Sequence, residues 1–340
     1  MMNLSPLNQR RIANFKANKR GYYALWLFLI LFIFSLFAEL WANNKPLLVS
    51  YQERWYYPVL TDYPETTFGG TLTSSTDYRD PYVADLIEQK GWMIWPPIRF
   101  SYSTINYTLT VPTPAPPSAD NWLGTDDQGR DVLARIIYGF RISVLFALTL
   151  TIGSSVVGIM VGAIQGFYGG WVDLLGQRVI EIWSGLPMLF MLIIMASLVE
   201  PNFWWLLGLM LLFSWTELTG LVRAEFLRGR NLEYVRAARA LGLSDAKVMF
   251  RHILPNAMVS TLSFLPFIFT GAIGLLTSLD FLGFGLPIGS PSLGELVAQG
   301  KNNMSAPWLG LSAFFTLAIL LTLLVFIGEA VRDAFDPRKQ

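Results

Sequence analysis

The chain has 340 residues, of which 53% are hydrophobic and only 14% are charged, and its mean hydropathy is +0.43. Soluble domains carry about 25% charged residues, so the composition excludes an ordinary soluble protein and indicates a polytopic membrane protein. The sequence has no cysteine, which excludes disulfides, thiolate metal sites and cysteine nucleophiles. The formal net charge of +1 gives no reason to expect nucleic acid as a partner.

Six stretches are long and apolar enough to cross a bilayer, since a spanning helix needs about 20 mostly apolar residues. They cover residues 22–42, 142–166, 182–199, 203–222, 257–279 and 308–328. A strand edge facing lipid would leave backbone groups unpaired, so we predict an all-α bundle of six transmembrane helices. The first stretch follows a basic segment, as in a signal peptide. Its apolar core is longer than the roughly 7–15 residues of a signal peptide, which favours a retained helix.

Lysine and arginine are distributed unevenly between the spans, and this distribution predicts the orientation. Six spans place both termini on one side, and short loops rich in these residues favour the cytoplasmic side. Seven of the 25 lysine and arginine residues fall in 223–256, whereas Lys301 stands alone in 280–307. We therefore expect a multi-pass protein with both termini in the cytoplasm.

The predicted spans divide the chain into six parts. These are a basic cytoplasmic N-terminus 1–21, a first helix 22–42, an outer insert 43–120, an amphipathic segment 121–141, a five-helix core 142–330 with a cytoplasmic loop 223–256, and a cytoplasmic tail 331–340. The insert is rich in proline and aromatic residues, which allows two interpretations. It is either an irregular cap at the membrane interface, where Trp and Tyr are common, or a docking surface for a soluble partner. Its tract VPTPAPPS at 111–118 is typical of a spacer.

The loop sequence EYVRAARALGLSDAKVMFRHILPN at 233–256 has the pattern of two short helices. Apolar residues recur at helical spacing at Leu232, Val235, Ala238 and Leu241. Gly242 then suits the left-handed position after a helix end, and Ser244 suits the N-cap of the next helix. Pro255 limits that helix or kinks it into the fifth span. An apolar stripe on a basic loop favours a docking site over a loop whose charge reflects topology alone.

Three separated motifs in this chain resemble those of ABC importer permeases. Ala237-Ala238-x3-Gly242 followed by Leu254-Pro255 resembles their EAA loop, with Arg236 at the glutamate position and His252 at the isoleucine position. LGTDDQGRDVLARIIYGFRIS at 123–143 and LDFLGFGLP at 279–287 are similar to segments of dipeptide and oligopeptide permeases. The long insert resembles that of permeases for microcin C and oligopeptides.

This resemblance implies a type I, MetI-like permease subunit in the bacterial inner membrane, with the insert in the periplasm. Such a subunit translocates peptides or peptide-like compounds, with oligopeptides and microcin C as candidates. The family architecture adds partner ATPase subunits that hold ATP and Mg, a second homologous permease that completes a heterodimer, and a periplasmic substrate-binding protein.

The resemblance also implies that the loop couples the bundle to the ATPase. The implied coupling residues are Glu233, Tyr234, Arg236, Ala237, Ala238, Arg239, Leu241, Gly242, Leu254 and Pro255. Apolar residues of the loop would fill a groove of the ATPase. Arg236 and Arg239 would steer association and pair with acidic groups at the groove's rim.

No sequence pattern indicates an enzyme or a motor in this chain. A P-loop requires G-x4-G-K-[ST]. The nearest candidate, Gly294 to Asn302, has the wrong spacing and no hydroxyl after Lys301. His252 is the only histidine, and no metal-ligand cluster occurs. We therefore expect no catalytic residue, metal or cofactor in this chain.

Small residues and a proline mark two of the spans. The second span carries a glycine stripe at Gly158, Gly162 and Gly166. Such stripes let helices approach closely, and we favour packing within the chain over a seam with a second permease. The fifth span carries Pro266, Gly271 and Gly274, which would bend it as a gate or as a static kink.

Glu217 is the only ionisable residue well inside a predicted span. An acid at mid-bilayer costs about 2.5–3.5 kcal/mol, so it should face protein or water. It lies about two turns from Arg223, and we favour a structural ion pair between them over a substrate contact.

Three other functions are compatible with a multi-pass protein. An ABC permease for another small solute, such as nickel or a glycopeptide, would share the same motifs. An ion-driven secondary transporter would require inverted repeats or several intramembrane carboxylates, which the sequence lacks. A membrane sensor or scaffold would leave the loop pattern unexplained.

Overall fold

A computed structural model describes residues 6–199 and 202–336 of the protein. Three parts named above lie outside this description. They are residues 1–5 of the basic N-terminus, Glu200 and Pro201 between the third and fourth predicted spans, and residues 337–340 of the tail. The description below concerns the other residues.

The described chain forms thirteen α-helices and one small sheet. The helices are α1 (Pro6–Ala17), α2 (Lys19–Leu36), α3 (Ala38–Trp41), α4 (Pro81–Glu88), α5 (Val132–Tyr168), α6 (Gly170–Ser184), α7 (Met188–Leu198), α8 (Phe203–Gly229), α9 (Glu233–Ala240), α10 (Asp245–Val248), α11 (Leu254–Phe281), α12 (Leu293–Asn302) and α13 (Pro307–Phe335). The strands are β1 (Leu48–Tyr51), β2 (Arg54–Tyr56) and β3 (Gly91–Ile94).

Polar side chains begin several of these helices by accepting a hydrogen bond from a free N–H of the first turn. These N-caps are Asn18 for α2, Asp80 for α4, Asp131 for α5, Asn202 for α8 and Ser292 for α12. The long helices start at these polar residues although their interiors are nearly all apolar. The caps therefore fix the helix starts where hydropathy alone does not.

Five described helical segments are long and apolar enough to cross a membrane, namely α2, α5, α8, the run from Asp245 to Phe281, and α13. α6 and α7 pass the same test together, but they are bent by 66° relative to each other. The third predicted span, 182–199, therefore corresponds to part of this bent pair, and the number of candidate spans is six if the pair is one broken span. Pro187 precedes α7 and has no N–H to continue the hydrogen bonds of α6.

Two other boundaries differ from those predicted. α5 begins at Val132, inside the predicted segment 121–141, and continues without a break to Tyr168. α8 continues to Gly229, so the loop begins after the predicted start at 223. In both places the helix continues beyond the end of its apolar run. Hydropathy does not show this, because charged residues at a membrane boundary can also adopt helical structure.

Both ends of the described chain lie at the same end of the bundle. Asn18, before α2, donates from Nδ2 to Oδ2 of Asp333 in α13 at 3.3 Å. The guanidinium of Arg11 lies over the ring of Phe335, 4.6 Å from its centroid. We name this end, which also carries residues 230–253, the loop end, and the opposite end the insert end.

The core of the bundle combines side chains from six helices: α2, α5, α7, α8, α11 and α13. Its most deeply buried members include Phe146, Leu150, Leu192, Met210, Ile273, Leu276 and Leu320. Large apolar side chains such as Ile152, Met160, Trp204 and Phe314 are exposed. An exposed apolar surface of this kind suits a bundle surrounded by lipid.

The insert folds around a core of its own, which the sequence analysis did not predict. β1 pairs antiparallel with both β2 and β3, and Ser50 lies opposite Trp55 and Trp92. Phe68 is fully buried among aromatic and aliphatic side chains of the sheet and α4. The all-α prediction therefore holds for the bundle and not for the insert.

The proline-rich tract 111–118 is not a free spacer. The N–H of Ala115 donates to Oγ1 of Thr125 at 2.8 Å, and the N–H of Thr125 donates to the carbonyl of Ala115 at 2.9 Å. These bonds fix the tract against the residues that lead into α5. The prediction of a spacer is wrong because local composition does not show this pairing.

Candidate functional site

Residues 230–253 connect α8 to α11 at the loop end, and α9 is their longest helix. Gly242 follows this helix with left-handed backbone, φ +77°. Its N–H donates to the carbonyl of Arg239 at 2.9 Å, and the N–H of Leu243 donates to that of Ala238 at 3.2 Å. These two bonds form a Schellman motif. The helix thus ends at Gly242 as predicted. A Cβ there would meet no atom within 4 Å, so glycine is favoured by the left-handed backbone conformation and not by lack of room for a side chain.

The predicted apolar stripe of α9 is divided between two environments. Val235 and Ala238 are buried in a cluster with Val222 and Phe226 of α8 and with Ile253. In contrast, Leu232 and Leu241 are exposed, Leu241 to 81%. The expectation that the whole stripe fills a partner's groove is therefore wrong. Half of it anchors α9 to its own bundle, and the other half remains available.

Tyr234 connects α9 to the start of α11. Its hydroxyl accepts a hydrogen bond from Nδ2 of Asn256 at 2.9 Å and donates to the carbonyl of His252 at 3.4 Å. His252 lies in a π-helical turn, Met249–Ile253, that joins α10 to α11. Single π-helical turns are frequent at functional sites. The predicted docking helix is thus joined by side chains to the fifth span.

The two arginines of α9 have different surroundings. The guanidinium of Arg239 lies over the ring of Phe167 near the end of α5, with Cζ 4.6 Å from the centroid. Arg236 is exposed and makes no ion pair among the described residues. The structure therefore leaves Arg236 for a partner and places Arg239 on the bundle.

The remaining predicted loop residues complete this surface. Glu233 is exposed in the first turn of α9, where its negative charge suits the helix dipole. Ala237 is exposed, and Leu254 packs against the cluster that holds Val235. Pro255 lies in the first turn of α11, where no intrahelical bond needs its N–H.

The glycine stripe of α5 packs against α8 within the same chain. A Cβ on Gly158, Gly162 or Gly166 would lie 2.5–2.7 Å from a backbone carbonyl oxygen of α8. These oxygens belong to Trp215, Thr219 and Arg223. Both series advance by four residues, so the two helices run parallel in register. This geometry agrees with the favoured interpretation of packing within the chain.

The proline and glycines of α11 lie in a helix that continues through them. Oγ1 of Thr270 donates to the carbonyl of Pro266 at 2.8 Å, and Pro266 packs beside Gly328 of α13. A Cβ on Gly271 or Gly274 would meet no atom within 4 Å. These two glycines therefore face open space and not a neighbouring helix of the chain.

The predicted ion pair between Glu217 and Arg223 is wrong. Arg223 instead donates from Nε and Nη2 to the carboxylate of Asp173 in α6, with Nη2 at 2.7 Å from Oδ2. The carboxylate of Glu217 is exposed and has no ion pair or hydrogen bond among the described residues. No local sequence pattern indicates this pairing, because Asp173 lies 50 positions before Arg223.

A buried charge network at the insert end was missed by the sequence analysis. Arg135 is fully buried, and its Nη2 donates to Oε2 of Glu295 in α12 at 2.8 Å. Arg130 donates to Asp126 at 2.6 Å and to Glu295 at 3.1 Å. Burial raises the pKa of the nearby Asp131, which caps α5, although hydrogen bonds from Ala134 and Asn121 oppose the shift. The run TDDQGRD at 125–131 is the signal that could have indicated this network.

Known proteins that are similar to this chain are membrane components of transport systems. The family described as "Binding-protein-dependent transport system inner membrane component" matches residues 134–340. The chain is 62% identical over 339 residues to the "Inner membrane ABC transporter permease protein YejE" of Escherichia coli K12, covering 100% of this chain and 99% of that relative. It is 60% identical to the "Peptidoglycan transport system permease protein YejE" of Agrobacterium fabrum, covering 98% of this chain and 94% of the relative.

A more distant relative and one solved structure extend the comparison. The "Oligopeptide transport system permease protein OppC" of Lactococcus lactis IL1403 is 37% identical over 229 residues, 66% of this chain and 78% of its own length. An inward-facing structure of the MetNI methionine ABC transporter matches with a TM-score of 0.51 and 15% identity, over 59% of this chain and 96% of the other. The predicted MetI-like fold and the resemblance to ABC permeases are thereby confirmed. The chain belongs to the family of binding-protein-dependent transport system inner membrane components.

Proposed function

We propose that the chain is the membrane-spanning subunit of an importer that takes up peptides or peptide-like compounds and is driven by ATP hydrolysis on separate ATPase subunits. Membership of a transport family and the names of three permease relatives support this function. The observation that carries the coupling role is the position of α9. It is held firmly on the bundle by one face and exposes Arg236 and Leu241.

The contacts of α9 provide a route for force from the ATPase to the spans. Val235 and Ala238 pack against α8, and Tyr234 bonds to the start of α11. A displacement of α9 therefore acts on two spanning helices at once. We expect the exposed Leu241 to enter an apolar groove of the ATPase and Arg236 to meet acidic groups at its rim. An exposed ion pair contributes only ~0.2–1 kcal/mol, so apolar contact should supply most of the affinity.

The remaining partners follow from this assignment. The loop end faces the cytoplasm with both termini, and the insert end faces the periplasm. A second permease subunit completes the translocation path, and ATP and Mg are held by the ATPase. The insert, which has its own folded core, is the proposed contact surface for the substrate-binding protein.

Peptides are the favoured substrate class. The Lactococcus relative is named for oligopeptides and the Agrobacterium relative for peptidoglycan. Both classes offer short peptides, free or attached to sugar. Microcin C also belongs to the peptide-like compounds. For nickel, the described residues contain no cluster of side chains that could hold a metal ion.

The test is purification of the tagged chain from its native membrane, followed by reconstitution with the proteins that copurify. We expect an ATPase and a second permease in the complex, and ATP hydrolysis that rises when a peptide-loaded binding protein is added. Peptide uptake that proceeds without ATP and follows an ion gradient would contradict the proposal and favour a secondary transporter.

A further inference from the structure

Glu217 lies near the middle of α8, on the side of the helix that faces away from α5. It is 14 residues from Phe203 and 12 from Gly229, or about 21 Å and about 18 Å along the helix at ~1.5 Å per residue. The backbone of α8 meets the glycine stripe of α5 at Trp215 and Thr219. Glu217 is two positions from each, so it points roughly 200° around the helix from that contact.

The part of the chain that the structure describes offers this carboxylate no partner. Arg223 is bound to Asp173, and no described residue forms an ion pair or hydrogen bond with Glu217. By contrast, Glu225 on the same helix accepts a hydrogen bond from Ser260 at 2.8 Å. A charged carboxylate that faces lipid is unfavourable, so such residues face protein, water or a partner. Glu217 therefore meets water or a cation from outside this chain.

The surroundings of Glu217 leave space for a ligand. Gly220, about one turn further along α8, has no atom within 4 Å of an added Cβ. α11 packs against α8 through apolar residues that include Leu218 and Ile268. α11 also presents Gly271 and Gly274 to open space. Small residues on both helices thus leave uncovered space, and the stripe of α8 that carries Glu217 continues through Leu221 and Glu225 to Arg228 toward the loop end.

We propose that Glu217 lines the translocation path and binds the positively charged amino group of the passing peptide. This inference rests on the proposed function and adds a chemical requirement to it. A short peptide with a free N-terminus carries an ammonium group, and a carboxylate is the complementary acceptor. The contact would offset part of the cost of taking the cationic end of the peptide out of water. A fixed cation on the second permease is the competing partner, and the test separates the two.

The first experiment asks whether Glu217 faces water. The chain has no cysteine, so Glu217→Cys introduces the only thiol of this subunit. In the assembled transporter we expect a charged, membrane-impermeant thiol reagent to modify it. Met160→Cys, whose side chain is exposed on α5 and which we expect to face lipid, should remain unmodified. A Glu217→Cys thiol that resists the reagent would overturn the proposal.

The second experiment asks whether the charge recognises the amino group. Proteoliposomes with the complete transporter are supplied with a tetrapeptide or its N-acetylated form, chosen so that the binding protein binds both. Glu217→Gln should lower import of the free-amine peptide about tenfold or more, the scale of a hydrogen bond to a charged group. Import of the acetylated peptide should stay within about twofold. Glu217→Asp should restore part of the preference, and Glu225→Gln should leave it unchanged.

Other outcomes overturn the assignment. Equal losses for both peptides, or failure of the Glu217→Gln transporter to assemble, would indicate a structural partner on the second permease. An unchanged preference would show that the carboxylate does not contact the amino group. If the wild-type transporter imports neither peptide in an ATP-dependent manner, the proposed function fails as well.

Discussion

At the scale of single residues, the loop end depends on a few side chains and one backbone conformation. Tyr234 ties α9 to α11, Arg239 lies on Phe167, and Gly242 ends the helix. The sequence predicts Gly242 because a helix end leaves a local pattern. It does not predict the partner of Arg223, since Asp173 is distant in the chain and adjacent only in the folded bundle. Local backbone chemistry is therefore readable from the sequence, and long-range ion pairs are not.

Substitution of Gly242 tests the left-handed helix end. Gly242→Ala should destabilise the end of α9 by about 1–2 kcal/mol, because left-handed backbone places Cβ too close to the following carbonyl. Gly242→Asn should cost less, since asparagine tolerates this conformation. ATP-dependent peptide import, measured at equal amounts of transporter, should rank wild type, then Asn, then Ala. Equal import by the Ala and Asn variants would show that the backbone conformation is unimportant.

At the scale of elements, hydropathy predicts the long spans and fails where an element is short or bent. Predicted spans overlap five helices, namely α2, α5, α8, α11 and α13. A long apolar segment in lipid must form its backbone hydrogen bonds within itself, and it does so as a helix. The break at Pro187 divides α6 from α7 inside the apolar run 182–199. The strands of the insert have three or four residues each, which is too short for an alternating pattern to emerge.

The packing of α5 on α8 gives a prediction for glycine replacements. Gly162→Ala would place Cβ 2.6 Å from the carbonyl oxygen of Thr219, so the helices must separate. Overpacking of this kind costs about 1–3 kcal/mol. Gly208→Ala on α8 meets no atom within 4 Å and should gain up to about 1 kcal/mol in helix propensity. Thermal unfolding of the purified protein in detergent checks both, and equal midpoints would contradict the close contact.

The network that joins α5 to α12 gives a second prediction at this scale. Arg135→Gln should destabilise the protein by about 3–5 kcal/mol, because it leaves buried carboxylates without their cation. Arg178→Gln is the control, since Arg178 forms an exposed pair with Glu181 that contributes ~0–1 kcal/mol. The same thermal measurement should show a large loss for the first variant only. Similar losses of stability for both variants would mean that burial does not determine how much these ion pairs contribute to stability.

At the scale of the whole molecule, the bundle has two different ends, and we propose that it transmits displacement from one of them to the spanning helices. The loop end exposes part of α9, which we propose as the contact for a partner ATPase, and the insert end carries a folded domain held against the start of α5. Between them, α8 carries a carboxylate that has no ion pair or hydrogen bond among the described residues, and small residues of α8 and α11 face open space. The sequence indicated the loop and the class of protein through its motifs. It did not indicate that half of the apolar stripe of α9 is used to attach the loop to the bundle.

The most direct test of the coupling account is photo-crosslinking from Leu241 in native membranes. A benzophenone amino acid at Leu241, which is 81% exposed at the loop end, is compared with the same group at Leu60, which is 82% exposed in the insert. The account predicts a crosslinked ATPase subunit from position 241 and none from position 60. A crosslink from position 241 to a periplasmic protein, or an ATPase captured only from position 60, would contradict it.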